Sequence, residues 1–391
     1  MDLMGHLLLL VVAFGAIQAV AGLIAVRGFA KRPPPPPNAR PAVTILKPIC
    51  GFEPMLEEAI ASFCTQDYAP FQLVIGVQDA ADPALEIARR VKARFPEADI
   101  EIVVNPTRHG MNRKIGNLIN MLPFAAHDML VIADSDLHVR PDYLDRVMAA
   151  LLRPGTGLVT TLANGEPAAP GIAARLGALH MSHIFLPSAL IGEAIGRQDC
   201  LGGTMALRCD TLDRIGGLHA LVGHLADDNV LGHLVRRLGL SVRIAETLPV
   251  VTVQERSLRA LWQHELRWAR TIRALTPVIF ATTVLQYPLA WALLWLALAE
   301  SRSAMLCFGC IWAIRAAVTL GIDDALDGLR LLPTRRAALW LLPLRDLLSV
   351  AEIIVSYFGD TVVWRGQAMH VDPGIARESQ TEDAAAVMYS N

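Results

Sequence analysis

The sequence predicts an α/β domain with a mostly parallel sheet, carried between apolar helices at its two ends. Three observations predict it. Short apolar runs alternate with amphipathic stretches from Ala42 to about residue 273, the pattern of βαβ units. One run, Met129-Leu130-Val131-Ile132-Ala133, leads straight into Asp134-Ser135-Asp136. A continuous apolar run bounded by polar residues reads as a strand buried on both faces, and parallel sheets bind ligands at the carboxyl ends of their strands. Finally, 53% of the 391 residues are hydrophobic and only 18% charged, a balance that points to a membrane-attached protein. A formal net charge of −2 gives no basic field for a nucleic-acid partner.

The elements follow in order. Residues 3–26 are apolar apart from His6 and Gln18, long enough to span ~30 Å of hydrocarbon at ~1.5 Å per residue. The length of the run and the lack of a basic segment before it argue against a cleaved signal peptide. Arg27, Lys31 and Arg32 follow it, so the positive-inside rule places the next domain in the cytoplasm. Pro33 to Pro37 predict a stiff polyproline spacer. Val43–Ile49, Phe71–Gln78, Ile100–Val104 and Met129–Ala133 read as strands. Glu53–Cys64, a helix from Asp82 to about Phe95, and Arg113–Met121 lie between them. Asp82 followed by Pro83 is good helix-start chemistry. Leu158–Leu162 and Leu240–Ile244 read as further strands, Gly202-Gly203 as a tight turn into another, and Ala226–Leu238 and Leu258–Arg273 as helices. Residues 172–195 are apolar but broken by Pro187 and by Arg175, His180, Ser182, His183 and Glu193. They predict a helix pair lying at the membrane interface rather than a span.

The C-terminal third is apolar again. Residues 277–299 read as a clear span and 304–321 as a second containing Arg315. The Arg-bearing loop Asp323–Arg336 then returns to the cytoplasm. Residues 338–358 form a third run interrupted by Arg345, Asp346 and Glu352, and the neighbours Arg345 and Asp346 can neutralise each other; spanning and interfacial placements both fit. The tail after Asp372 is polar and reads as disordered. The expected division is an anchor over 1–27, a linker over 28–41, the α/β domain over 42–273, membrane or interfacial helices over 274–360 and a tail over 361–391. Six cysteines form no disulfide framework, and the CxxC spacing of Cys307 and Cys310 lies inside an apolar run, which reads as packing.

The polar residues at element ends carry the chemistry. Asp79 and Asp82 follow the second strand, Asp134 and Asp136 the fourth, Asp227 and Asp228 open a later helix, and His264-Glu265-Leu266-Arg267-Trp268 lies just before the C-terminal apolar region. Each has a plainer reading. Asp82 or Asp227 can serve only as a cap, Arg267 and Trp268 as interface anchors, and His183 as a packed histidine. Asp134 and Asp136, with one small residue between, suit a hard divalent cation such as Mg²⁺ or Mn²⁺ shared with substrate phosphates. Carboxylates such as Asp79 and Asp82 accept hydrogen bonds from a base N–H or ribose hydroxyls.

In their order these motifs resemble the ceramide glucosyltransferase family, membrane glycosyltransferases of family 21 with a GT-A, Rossmann-like catalytic domain. Val43-Thr44-Ile45-Leu46-Lys47-Pro48 resembles its V-S-x-L-K-P start, and Val77-Gln78-Asp79-Ala80-Ala81-Asp82-Pro83-Ala84 its V-Q-D-x-x-D-P-A signature. Asn112-Arg113-Lys114-Ile115-Gly116-Asn117-Leu118 is similar to N-P-K-x-x-N-L, Asp134-Ser135-Asp136 to D-S-D, Asp227-Asp228 to its acidic pair, and Arg267-Trp268 to the end of (Q/R)-x-x-R-W. His264 departs from the pattern, standing where the family has Gln or Arg, with Gln263 one place early. The resemblance covers residues 43–270.

It implies an inverting transfer from a UDP-sugar to a hydroxyl of a membrane lipid. Asp228 is then the base. Asp79, Asp82, Lys114, Asp134, His264, Arg267 and Trp268 bind the nucleotide sugar, Asp134 and Asp136 the metal, and His183 and Asp227 the acceptor. Within the family, the Arg-rich, Lys-poor composition and His264 point to a bacterial branch similar to hopanoid-biosynthesis glycosyltransferases. This implies UDP-N-acetylglucosamine, a hopanoid polyol and the bacterial inner membrane; ceramide with UDP-glucose is the alternative. A processive polysaccharide synthase needs more spans. A polyprenyl-phosphate sugar synthase lacks an Arg-Trp element placed this way, and a scaffold needs no carboxylates at several strand ends.

Overall fold

The computed structural model describes residues 3–33, 39–168, 170–299, 301–331 and 336–359, and the backbone of 361–364 and 367–370. Most of the proline spacer, Arg335 and the C-terminal tail lie outside the described residues. The elements are α1 (Leu3–Ala30), β1 (Val43–Pro48), α2 (Leu56–Cys64), β2 (Phe71–Val77), α3 (Pro83–Arg94), β3 (Ile100–Val104), α4 (Arg113–Met121), β4 (Met129–Ala133), β5 (Leu137–His138), α5 (Tyr143–Leu151), β6 (Thr156–Thr160), β7 (Asn164–Pro167), α6 (Ile172–His180), α7 (Leu186–Ala194), β8 (Thr204–Arg208), α8 (Cys209–Arg214), α9 (Asp227–Arg237), β9 (Ser241–Ile244), β10 (Val250–Val253), α10 (Leu258–Leu275), α11 (Pro277–Thr282), α12 (Pro288–Ala299), α13 (Arg302–Leu326), α14 (Leu342–Ser356), β11 (Thr361–Trp364) and β12 (Gln367–His370).

The main sheet has seven strands in the order β3-β2-β1-β4-β8-β6-β9. Its pairs are parallel except where β8 runs antiparallel to β4 and β6. The run 129–133 therefore lies at the middle of the sheet. Val131 and Ala133 pack into the core on one face, with Ile45, Phe63 and Tyr143. Leu130 and Ile132 pack into the core on the other, with Leu46, Ile115 and Leu231. Burial on both faces explains the unbroken apolar sequence. A second sheet, β5-β10-β7, has strands of two to four residues, too short to carry a period of their own.

Local chemistry sets the helix starts around the sheet. The Asp82 side chain accepts the Ala84 N–H at the start of α3, with Pro83 at the first position. Asn112 caps α4 by accepting the Ile115 N–H at 3.1 Å, which satisfies donors the helix cannot use itself.

Between residues 172 and 195, α6 and α7 are joined through a π-helical turn, Met181–Phe185. Pro187 sits four residues after His183 and has no N–H to donate to its carbonyl, so the turn widens there. The layer packs against α1 through α7 and against β7 through α6.

α1 and the helical stretch Arg302–Leu329 are long and apolar enough to cross a membrane. The expected single span over 277–299 is instead a pair, Pro277–Gln286 and Pro288–Ala299, bent by 65°. Pro288 follows Tyr287 at the break, and a proline there can neither donate to the previous turn nor tolerate a helical residue before it. The expected pairing of Arg345 with Asp346 is not what forms. Consecutive residues on a helix point about 100° apart, and the two find different partners. Asp346 accepts from Arg315 at 3.2 Å and from the Leu289 N–H at 3.1 Å, while Arg345 turns to Glu265 and Glu352.

Candidate active site

The end of β4 gathers four of the expected carboxylates around two lysines. Lys114, one residue into α4, places its Nζ 2.6 Å from Asp134 Oδ1 and 3.8 Å from Asp227 Oδ2. Asn112 donates to Asp227 Oδ1 at 3.1 Å and to the His224 carbonyl at 2.8 Å. Burial alone would lower the Lys114 pKa, but Asp134 and Asp227 raise it above its usual value, so this lysine is a fixed cation. The Asp134 side chain is 37% exposed against 17% for Lys114, so the carboxylate faces the opening and the lysine supports it.

Lys47 acts from below. It is fully buried in β1. Its Nζ donates to the Asp134 carbonyl at 2.7 Å and lies 4.2 Å from the centre of the Phe63 ring. Burial lowers its pKa to about 8 against the opposing pull of Asp136 and Asp134. Burial, then Asp134 and Glu53, push the Asp136 carboxyl up to about 7. Burial also raises Asp228 to about 7, with Asp227 adding and Lys114 opposing. Asp228 accepts the Asn229 N–H at 2.8 Å and rests against Gly202. A Cβ on Gly202 would stand 2.7 Å from Asp228 Oδ2, and its φ of +78° already favours glycine.

Asp134, Asp136, Asp227 and Asp228 outnumber Lys47 and Lys114 by two charges when ionised. That surplus and an all-oxygen donor set fit a hard divalent cation. A surplus of like charge also pushes buried carboxyl pKa values up, as seen at Asp136 and Asp228.

The other expected residues stand apart from this cluster. Asp79 and Asp82 follow β2, two strands from β4. Asp82 is committed to structure: besides capping α3, its two oxygens accept the Gly51 N–H at 2.8 and 2.9 Å, tying the loop after β1 to α3. Asp79 Oδ1 accepts the Ala81 N–H at 2.9 Å on an exposed turn. His264, Arg267 and Trp268 lie on α10. The His264 and Trp268 rings meet edge to face, centroids 4.5 Å apart, and His264 Nδ1 hydrogen-bonds Glu255. His183 is buried in the π turn, its Nε2 3.0 Å from Asp323 Oδ1. It lines a narrow crevice between α1, α7 and α13 that also meets Gln18, Ser188, Gln286 and Arg315.

Sequence reasoning did not assign roles to Asn112, Lys47 and Gly202. The first two were visible as motif letters. Nothing in the sequence shows that residue 202 touches Asp228.

Residues 7–376 match glycosyl transferase family 21. Ceramide glucosyltransferase 3 of Caenorhabditis elegans is 23% identical over 341 residues, covering 85% of this chain and 73% of the relative. A ceramide glucosyltransferase of Komagataella phaffii is 34% identical over 131 residues, 32% of this chain and 26% of that one. Among solved structures, the mannosyltransferase PcManGT of Pyrobaculum calidifontis, in complex with GDP-Man and Mn²⁺, superposes with a TM-score of 0.54 at 17% identity, over 91% of this chain and 98% of that one. The fold is accordingly GT-A-like, and the expected family is the one matched. The chain belongs to glycosyl transferase family 21.

Proposed function

We propose that the protein transfers a sugar from a UDP-sugar to a hydroxyl group of a membrane lipid, with inversion at the anomeric carbon and with a divalent metal. One observation carries the reading. Asp228, a carboxyl raised to about 7 by burial and Asp227, belongs to the same electrostatic cluster as the Lys114–Asp134 pair, 2.6 Å apart at the end of the central strand. A base works best with a pKa near the operating pH, and inversion needs one base and no covalent nucleophile.

Asp228 takes the proton of the acceptor hydroxyl as that oxygen attacks the anomeric carbon. Lys114 holds Asp134 and Asp227 in place and offers a cation to the ribose or diphosphate. Asp134 and Asp136 hold Mg²⁺ or Mn²⁺, which when bound stabilises the charge growing on the departing diphosphate. Lys47 fixes the backbone of Asp134. Arg267 grips diphosphate oxygens as a planar fork, Trp268 packs against sugar or acceptor, and His264 supports Trp268 from one side. Asp79 receives the nucleoside, and Asp82 shapes that end of the site through the Gly51 loop. Asp227 orients the acceptor side.

The lipid nature of the acceptor is supported by α1 and α13, each long and apolar enough to cross a membrane. Arg27 in the last turn of α1, with Lys31 and Arg32 just after it, favours a cytoplasmic catalytic face, and the Arg-rich, Lys-poor composition favours a bacterial inner membrane. The names of the relatives favour ceramide and UDP-glucose. The Arg-rich composition and His264 favour a hopanoid polyol and UDP-N-acetylglucosamine. The full chain in nanodiscs, given each donor with each acceptor, with and without Mg²⁺ or Mn²⁺, decides between them. If no pairing yields a glycolipid, the proposed substrate class is wrong.

A further inference from the structure

A buried charge cluster lies where α6, α10 and α14 meet. Arg345 of α14 is 0% exposed. One guanidinium nitrogen stands 3.0 and 2.7 Å from the two oxygens of Glu265 on α10. Another donates to Glu352 Oε2 at 2.8 Å, and two of its nitrogens donate to Ser349 Oγ at 3.2 and 3.0 Å. His180 of α6 places its Nδ1 3.7 Å from Glu265 Oε1, and burial lowers its pKa to about 4, so it adds no charge.

His180, Glu265 and Glu352 have ligand atoms within 4.8 Å of one another, the spacing of a metal site. Arg345 decides against that use. It already holds three of the four carboxylate oxygens, and a divalent ion would have to compete for them with a guanidinium that cannot lose its proton.

Simple helix packing does not call for this arrangement. Burying an ion pair costs desolvation, and apolar residues of similar volume often hold two helices together as well or better. What a buried, multiply bonded arginine adds is register. Glu265 stands two residues before Arg267 and three before Trp268 on α10. Fixing its two oxygens fixes both the rotation and the height of that helix.

We infer that Arg345 is a positioning residue for the donor end of the active site: through Glu265 it sets α10 so that Arg267 and Trp268 face the nucleotide diphosphate. This rests on the donor role proposed above for Arg267 and Trp268. A side chain acting this way changes donor binding out of proportion to folding, because a displacement of ~1 Å in a positioned group can cost ~10²-fold.

The test uses the full chain in nanodiscs, with UDP and Mn²⁺ as the probe. Wild-type binding of UDP is measured first, and failure there refutes the proposed function rather than this inference. R345M is expected to lower the melting temperature, as loss of one partner of a buried pair does, and to weaken UDP binding about tenfold or more when binding is measured on folded protein. R345K should recover part of the loss. If R345M does not fold, E265Q is read in the same way, since it keeps the shape of the side chain and removes its charge. UDP binding at wild-type strength in a folded R345M or E265Q protein overturns the inference, as does loss of activity with unchanged UDP affinity.

Discussion

Asp228→Asn tests the site most sharply, because one substitution should move activity and stability in opposite directions. A buried carboxyl whose folded pKa lies above its unfolded value costs stability wherever it is ionised. The cost is absent below the unfolded value, 3.8, grows as pH rises, and is complete above about 7. A shift of about three units at about 1.4 kcal/mol per unit bounds the cost near 4 kcal/mol. Partial exposure and solvent screening reduce the realised gain in the variant to about 1–3 kcal/mol. The variant should therefore melt a few degrees higher than wild type at pH 8 and nearly level with it at pH 4.5. Its transfer rate should fall by about 10²–10⁴-fold, the usual contribution of a general base. In the wild type, kcat/KM should drop about tenfold per pH unit below about 7, since only the ionised form accepts a proton. Melting curves across pH and steady-state glycolipid formation measure the two effects. A variant with a tenth of wild-type activity, or a wild-type rate that is flat from pH 5.5 to 8, refutes the assignment of Asp228 as base.

Three further outcomes follow from the same geometry. Gly202→Ala should lower activity at least tenfold and leave UDP affinity intact, because the new Cβ would meet Asp228 Oδ2 at 2.7 Å; unchanged kcat would show that Asp228 has room to move. Chelation should abolish transfer, and Mg²⁺ or Mn²⁺ should restore it. Asp136→Asn should then raise the metal concentration needed for half activity about tenfold, measured by titration, whereas an unchanged requirement moves the metal off that residue. Asp346→Asn leaves Arg315 buried without its carboxylate partner, at a cost of about 3–5 kcal/mol for a broken buried pair. The double variant R315L/D346L should recover much of that loss in detergent melting curves.

The central strand and the acidic turn after it were legible because two different requirements act on consecutive residues. Burial on both faces demands apolar side chains from Met129 to Ala133, and the strand's open end admits Asp134 and Asp136. The helix start at Asp82 was legible because capping chemistry is local; the helix from Arg113 was legible too, though not its cap, Asn112. The bend at Pro288 was present in the sequence but masked, since a span tolerates proline when neighbours satisfy the freed carbonyls, and hydropathy alone reads straight through it. The strands β5, β7 and β10 were invisible because two to four residues carry no period. Arg345 and Asp346 invited a local pairing that helix geometry forbids.

The same contrast explains which parts of the site a sequence conceals. Lys114 and Asp134 are 20 positions apart, yet each stands where one element begins or ends, so topology brings them together once the sheet order is known. Glu265 and Arg345 are 80 positions apart and meet where two helices pack side by side, so only side-chain packing decides the partner. A charge placed inside an otherwise apolar helix carries a desolvation cost of several kcal/mol, so it persists only where a partner of opposite sign faces it. Arg315, Arg345, Asp346 and Glu352 each meet that condition here. Three are interruptions in one C-terminal apolar run. In the structure Arg315 and Asp346 join α13 to α14, and Arg345, held also by Glu352, joins α14 through Glu265 to the helix that carries Arg267 and Trp268. A charged residue in a membrane segment thus locates a contact before the fold is known, but its spacing in the sequence does not say with what.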